Sequence, residues 1–163
     1  MTANGGRKPK VVIIGGGFAG LNVARALKKS PVEITLIDRR NHHLFQPLLY
    51  QVATAAMNTA DIAHPIRSVL SKQKNARVLL AEALTIDVKN RRVVLDNGLL
   101  EYDYLVVATG LSLEYGLIRG MDESLIGTNG LGSIYHSPAA AHATWRLMSD
   151  FADRGGRGVF LRP

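Results

Sequence analysis

The chain has 163 residues, of which 47% are hydrophobic and 20% are charged, and its formal net charge is +7. This apolar content suits a globular domain with a core and excludes a disordered chain. Cysteine is absent, so these residues hold neither a disulfide nor a thiol redox centre, and no stretch has the ~18 to 20 apolar residues of a membrane-spanning helix.

The positive charge lies in the first half of the chain. Residues 1–81 carry a net charge of +9, and residues 82–163 carry −2. A basic half suits a pyrophosphate or an anionic lipid surface, and it equally suits a plain solvated face. Nucleic acid is not expected as a partner, because basic and aromatic residues do not interleave and no known reader motif occurs.

The first elements in chain order predict a β-α-β unit. The apolar run at 10–14 predicts a buried strand that three glycines end. Helical spacing of apolar residues predicts a helix over 21–29, and the run at 32–37 predicts a second strand, which ends in Asp38. The unit has the length of about 30 residues that such crossovers need.

The middle of the chain is less regular over residues 41–60. Residues 61–70 predict a helix, which Pro65 either interrupts or restarts. Short apolar runs then predict strands at 77–80, 83–88, 92–95 and 104–108, with a turn at 96–98.

A glycine-rich loop leads to a predicted helix over 137–151, with Ser137 as N-cap and Pro138 at the first helical position. A last strand is predicted to begin at 158–161. Because the sequence ends just after this strand begins, we expect a fragment of a larger protein.

The motif with the clearest chemistry is Gly15-x-Gly17-x-x-Gly20, between the first strand and the first helix. Gly15 permits a tight turn, Gly17 lets a pyrophosphate approach the backbone, and Gly20 lets the helix pack on the strand. The amino end of the helix adds N–H groups and partial positive charge. Asp38 follows Gly20 by 18 residues, where a carboxylate can bind both hydroxyls of a ribose. The alternative is a structural glycine turn with a surface aspartate.

A second constellation follows the strand at 104–108, where Ala108, Thr109 and Gly110 form a turn of small residues. Small residues let a ligand approach the backbone closely. From the residues alone, the segment is interpreted as a buried core strand that ends in a turn rather than as a binding site.

Together these motifs resemble the FAD domain of the two-dinucleotide-binding flavoprotein superfamily. The resemblance implies an α/β fold, a Rossmann-like, three-layer arrangement around a parallel sheet, here incomplete. It also implies that the first glycine motif binds FAD, while a later motif beyond residue 163 binds NADH as substrate.

Residues 38–67 resemble type II NADH:quinone oxidoreductases, in which a stretch like HLFQPLLY follows the ribose acid. This resemblance implies that Phe45, Pro47 and Leu48 lie near the flavin and the quinone path, although such a loop could equally pack into its own core. After Gly110 the sequence looks more like the sulfide:quinone reductase and flavocytochrome c group, on a GSIY segment and a helix containing Thr-Trp.

The motifs and the resemblance together predict contacts with the cofactor. The predicted cofactor-binding residues are Gly15, Gly17, Phe18, Ala19, Gly20, Asp38, Arg39, Phe45, Pro47, Leu48, Ala83, Ala108, Thr109 and Gly110. No catalytic acid or base is named, since the cofactor does the chemistry. His42 and His43 are candidates for acid–base groups or metal ligands, but no other ligand has matching spacing, so no metal is predicted.

The domain organisation that follows is a flexible basic segment at 1–9, the first part of an FAD-binding domain at 10–110, and a connecting segment with the start of a next domain at 111–163. The expected function is electron transfer from NADH through FAD to a membrane quinone in the respiratory chain. The alternatives are a sulfide:quinone reductase, which would need cysteines after residue 163, and an FAD-binding module without turnover. The expected location is the cytoplasm, or the cytoplasmic membrane face as a peripheral protein, with a homodimer left open.

Overall fold

The computed structural model describes residues 6–161, and these divide into two compact units. The first unit contains the residues up to Leu44 together with Ala63–Leu111. The second contains Phe45–Ile62 and the residues from Ser112 onward.

The strands and helices follow one another along the chain. In order they are β1 Lys10–Ile14, α1 Phe18–Ala26, β2 Glu33–Asp38, β3 His42–Leu44, α2 Leu49–Val52, α3 Thr59–Ile62, β4 Ala63–Pro65, α4 Ile66–Leu70, β5 Ala76–Leu80, β6 Ala83–Asp87, β7 Arg92–Leu95, β8 Gly98–Glu101, β9 Tyr104–Val107 and α5 Pro138–Arg154.

The first unit is built around a parallel sheet with the strand order β5-β2-β1-β9. Its central strands are buried on both faces, which is why β1 and β2 are largely continuous apolar runs rather than alternating ones. Alternate residues point to opposite faces. Ile13 and Leu36 pack with α1 and α4, whereas Ile14 and Ile37 pack with the antiparallel sheet β6-β7-β8.

The unit therefore has three layers: helices, the parallel sheet, and a three-stranded antiparallel sheet. Ile13, Leu36 and Ile37 have no exposed surface, and burying such a side chain contributes about 1.5–3 kcal/mol relative to leaving it in water. The predicted fold class, an α/β Rossmann-like arrangement around a parallel sheet, is confirmed.

Helix α1 begins earlier than its apolar spacing predicted. It starts at Phe18, directly after the glycines, instead of at residue 21. Phe18 and Ala19 in the first turn are apolar but exposed, so they do not belong to the buried face whose spacing predicted the helix.

The helix predicted over 61–70 is interrupted at Pro65 and restarts after it, as the sequence allowed, but the strand between the two parts was not predicted. Strand β4 replaces its middle, flanked by the short helices α3 and α4. Pro65 has ψ 125° at the start of α4, an extended conformation that a helix interior does not allow, and β4 pairs with β3 instead. Neither of these two short antiparallel strands has an apolar alternation of its own, so no sequence pattern indicated their pairing.

Two further strands differ from prediction. Strand β8 was missed because it begins at Gly98, inside the predicted turn, and its apolar run is only the two residues Leu99 and Leu100. The strand predicted at 158–161 is absent, and Val159 and Phe160 are 80% and 96% exposed. A strand is stabilised by the ladder to a neighbour, and no strand among residues 6–161 pairs with this segment.

In the second unit, α2 packs on α5, and Leu49, Val52 and Ala53 are buried. Helix α5 has the predicted cap, since the Ser137 hydroxyl oxygen accepts the N–H of Ala140 at 3.0 Å. The helix continues to Arg154 instead of ending at 151.

An acidic side chain ties β1 to β9 at their amino ends. Asp103 accepts the N–H of Lys10 at 2.7 Å and pairs with the Arg7 guanidinium at 2.9 Å. The Lys10 N–H lowers the pKa of Asp103 most, and the charge of Arg7 lowers it further. Among residues 6–161 no helix is both long enough and apolar enough to cross a membrane.

Candidate functional site

The glycine loop joins β1 to α1, and its first glycine is required by the fold. Gly15 has φ +106°, a conformation that L residues rarely adopt. Its N–H donates to the Ile37 carbonyl at 2.8 Å. A Cβ at Gly15 would collide with the carbonyl of Ala108, at the carboxyl end of β9.

The last glycine of the motif is also required by packing. A Cβ at Gly20 would collide with the Gly15 carbonyl oxygen and would lie 3.2 Å from Ile13 Cγ2. Helix α1 therefore approaches β1 as closely as the sequence predicted.

Gly17 differs from both neighbours in the motif. Its backbone has φ −77° and ψ −164°, which any residue can adopt. A Cβ there would meet no protein atom within 4 Å. Neither the backbone conformation nor packing against the described residues explains why this position is glycine.

Helix α1 begins on this loop, with Gly17 as its N-cap. Its first turn has no acidic side chain and no capping side chain. The amino end of a helix carries partial positive charge from its backbone N–H groups. The loop and helix together therefore offer backbone donors and positive potential to an anionic group.

Asp38, at the end of β2, is bound to the glycine loop. Its Oδ2 accepts the N–H of Gly16 at 2.6 Å, and its Oδ1 accepts the N–H of Arg40 at 2.7 Å. The two hydrogen bonds fix the orientation of the carboxylate. Each carboxylate oxygen retains a second lone pair, so the fixed group can still accept hydrogen bonds from a hydroxyl pair.

Arg39 lies beside this carboxylate in sequence but turns to Glu82. Its Nη1 is 3.7 Å from Glu82 Oε1, and both side chains are more than half exposed. An exposed pair of this kind contributes about 0–1 kcal/mol, so the guanidinium remains available to another partner.

The turn Ala108–Gly110 lies next to the glycine loop. The Ala108 N–H donates to the Ile14 carbonyl at 2.8 Å, and Gly110 has φ +76°. The structure thus brings this turn and the glycine motif together at the carboxyl ends of the adjacent strands β1 and β9. Ala83 begins β6 and packs against the core on the antiparallel-sheet side.

The predicted flavin-side residues belong to the second unit. Phe45 is 40% exposed and precedes a turn of 3-10 helix over Gln46–Leu48. Pro47 is exposed and Leu48 is half-buried, whereas the following Leu49 is fully buried. In this apolar loop, Leu49 is part of the core of the second unit, whereas part of the Phe45 and Pro47 side chains is exposed.

Sequence reasoning missed the position of His43. Its Nδ1 lies 3.1 Å from the Gly16 carbonyl oxygen, and its ring meets the Phe18 ring edge-on at a centroid distance of 4.9 Å. The β3–β4 pairing that places His43 there was not predicted, so no sequence signal connected it with the glycine loop. In the part of the chain from 6 to 161, no group of three or more metal-ligating side chains is present.

Known proteins share this arrangement of motifs. The family model described as pyridine nucleotide-disulphide oxidoreductase matches residues 9–140. The chain belongs to this family. The match includes both the glycine motif and the turn at Ala108–Gly110.

Among curated members, the chain is similar to two type II NADH:quinone oxidoreductases of Mycobacterium tuberculosis, NdhA and Ndh. It is 51% and 48% identical to them over 118 residues, which is 70% of this chain and 25% and 26% of theirs. The chain thus spans about a quarter of the length of these relatives. The resemblance to type II NADH:quinone oxidoreductases is confirmed.

A solved structure extends the likeness. The sulfide:quinone oxidoreductase of Aquifex aeolicus superposes with a TM-score of 0.77 at 28% identity, covering 90% of this chain and 33% of that one. The family fold therefore reaches well into the residues after Gly110, where the sequence resembled sulfide:quinone reductases.

Proposed function

We propose that this chain forms the FAD-binding part of a type II NADH:quinone oxidoreductase, which passes electrons from NADH to a membrane quinone. The proposal is supported by family membership, by the identity to the mycobacterial enzymes, and by the glycine loop. When bound, FAD supplies the ability to take up a hydride and to release electrons.

The observation that carries the assignment of a dinucleotide to this loop is the contrast among the motif's glycines, and the choice of FAD rests on the pairing of this first motif with the turn at Ala108–Gly110. Gly15 and Gly20 are explained by the protein's own atoms, whereas Gly17 is not. A pyrophosphate approaching the backbone at Gly17 would explain it, because a side chain there would occupy the same space. The residues present therefore fit the cofactor.

The remaining predicted residues receive roles that follow from their positions. We assign the pyrophosphate to Gly17, Phe18 and Ala19 at the start of α1, where backbone donors gather. We assign the adenosine ribose to Asp38, whose carboxylate is already oriented, with Arg39 beside it.

We also assign cofactor contacts to Ala83 and to the turn formed by Ala108, Thr109 and Gly110, where small residues let the cofactor approach the backbone closely. Phe45, Pro47 and Leu48 are assigned to apolar walls for the flavin or the quinone, on the strength of the resemblance and the outward exposure of Phe45 and Pro47.

The wider organisation is also a proposal. We keep 10–110 as the FAD-binding part and 111–163 as a connection to a further domain. Most of the segment predicted as flexible, 1–9, lies outside the described residues, which begin at residue 6. NADH and quinone are carried over from the names of the relatives. A peripheral membrane association is kept as a proposal from the family resemblance, and a homodimer is left open.

A second candidate is a quinone reductase with sulfide as donor, favoured by the likeness to the Aquifex protein. The full-length, FAD-loaded protein separates the two when a water-soluble quinone is the acceptor and NADH or sulfide is the donor. The 163-residue chain alone is expected to be inactive, because the motif that binds NADH is expected beyond residue 163. Quinone reduction with NADH, and none with sulfide, is expected. Reduction with sulfide alone would favour the second candidate, and reduction with neither would favour a binding module without turnover.

A further inference from the structure

The peptide groups around Gly16 are held from two sides. The Gly16 N–H donates to Asp38 Oδ2 at 2.6 Å, and the Gly16 carbonyl oxygen lies 3.1 Å from His43 Nδ1. A carbonyl oxygen only accepts, so His43 carries a proton on Nδ1 and donates it. The two contacts come from different elements, the end of β2 and the middle of β3.

Side-chain packing adds a third constraint on the same residue. Gly16 is buried, and a Cβ there would collide with Cδ1 of Ile66 in α4. Gly16 is thus enclosed by Ile66 while Asp38 and His43 bind its two polar groups. These contacts together favour the observed orientation of the middle of the glycine loop.

This orientation determines where the next N–H points. A peptide group is planar and trans, so the carbonyl of Gly16 and the N–H of Gly17 point in opposite directions. Because the carbonyl faces His43, the Gly17 N–H faces away from it. Among residues 6–161, no acceptor receives this N–H.

We propose that His43 is a positioning residue for cofactor binding. By holding the Gly16 carbonyl, it keeps the Gly17 N–H directed at the position assigned to the pyrophosphate. The inference rests on the proposed FAD site and adds to it a residue outside the glycine motif and the ribose acid.

The surroundings of His43 suit this role. Strand β3 pairs with β4, which sets His43 opposite His64, and the buried Leu44 anchors the next position. The edge-on contact with Phe18 fixes the ring plane. The histidine is therefore held in place before any ligand binds.

Two substitutions separate the hydrogen bond from the ring. His43→Phe keeps an aromatic ring against Phe18 but removes the donor. His43→Asn removes the ring but keeps an N–H donor at the place of Nδ1. His42→Phe is the matched control, since the Nδ1 of His42 contacts only the Asn41 side chain beside it.

FAD titration of the purified apoprotein, followed by flavin fluorescence, is the first measurement. His43→Phe is expected to weaken binding about three- to tenfold, as for the loss of one ordinary hydrogen bond. His43→Asn and His42→Phe are expected to stay within about twofold of the parent, less than one ordinary hydrogen bond.

Amide hydrogen exchange of residues 15–17 in the apoprotein is the second measurement, and it needs no cofactor. Exchange is expected to rise in His43→Phe and to stay at the parent level in His43→Asn.

A parent that binds FAD while His43→Phe binds it equally well overturns the role of His43 and leaves the FAD site standing. Equal losses in the Phe and Asn variants overturn it too, because an N–H donor at the place of Nδ1 would then fail to restore binding. A parent that binds no FAD overturns both proposals.

Discussion

The carbonyl oxygen of Ala108 occupies the place where a Cβ of Gly15 would lie. The two residues directly follow adjacent parallel strands, β1 and β9, and they join the glycine motif to a turn far along the chain. The backbone of the glycine motif therefore lies directly against the backbone of the Ala108–Gly110 turn.

This contact predicts that Gly15→Ala is destabilising. The substitution adds a Cβ against Ala108 at a residue with φ +106°, so both overpacking and backbone strain oppose it. We expect a loss of at least about 2 kcal/mol in the free energy of unfolding, measured with urea.

Gly110→Ala is the matched control, because Gly110 also has a positive φ but a Cβ there meets nothing within 4 Å. It should cost only about 1 kcal/mol. Equal losses in the two variants would show that Ala108 yields easily and that the close approach has no energetic weight.

Gly17 should behave in the opposite way. Gly17→Val places a Cβ where no atom of the described residues lies within 4 Å and where the backbone is extended, so most of the stability should remain. Valine is a poorer N-cap than glycine, so a small loss is expected. The same side chain fills the space assigned to the pyrophosphate, so FAD should be lost during purification. Unfolding curves and flavin absorbance test the two halves separately. A variant that retains as much flavin as the parent would make Gly17 a simple turn residue.

The elements that could be predicted from the sequence are those whose signal is local. Strand β1 was found at its observed bounds because a strand buried on both faces is continuously apolar, and Ser137 was found as an N-cap because capping needs one side chain. The glycine motif and the acid were recognisable from their spacing together with the apolar strand before the motif and the helix after it.

The elements that were missed depend on contacts between distant segments. The β3–β4 pairing is set by residues about twenty positions apart, with no apolar alternation in either strand. For this reason the position of His43 against Gly16 could not be foreseen. The predicted strand at 158–161 had the right composition, but composition does not provide a neighbouring strand.

Asp38 offers a direct test of ribose binding. Asp38→Ala removes the acceptor assigned to the ribose and also releases the N–H groups of Gly16 and Arg40. A hydrogen bond to a charged group contributes about 1.5–3 kcal/mol, so FAD affinity should fall roughly ten- to a hundredfold. Flavin titration at fixed ionic strength gives the values.

Two comparison variants complete this test. Asp38→Glu should lose less, since its carboxylate can still reach a hydroxyl pair. Glu33→Ala, which changes an exposed acid at the other end of β2, should bind FAD like the parent. An Asp38→Ala variant that binds FAD within about twofold of the parent, under 1 kcal/mol, would contradict the ribose role.

Asp103 predicts a pH dependence of stability. Its pKa is lowered in the folded chain, chiefly by the Lys10 N–H, so the carboxylate stabilises the fold above the ordinary value of 3.8. This contribution is lost as the pH falls through the lowered pKa. Asp103→Asn should therefore be less stable than the parent at neutral pH, and the difference should shrink in acid.

Urea unfolding at neutral and acidic pH measures this effect. Asp150→Asn, on the exposed face of α5, is the control and should follow the parent at every pH. If the stability difference between the parent and Asp103→Asn stays constant on acidification, the contact with Lys10 does not depend on the charge of Asp103.

The central claim is that the first glycine motif binds FAD, and the flavin content of the protein purified without added cofactor tests it most directly. We expect a yellow protein that releases FAD in an equimolar amount on denaturation, and a colourless Gly17→Val variant that keeps most of the parent's stability. A colourless parent protein that takes up NAD, with uptake abolished by Gly17→Val, would contradict the claim.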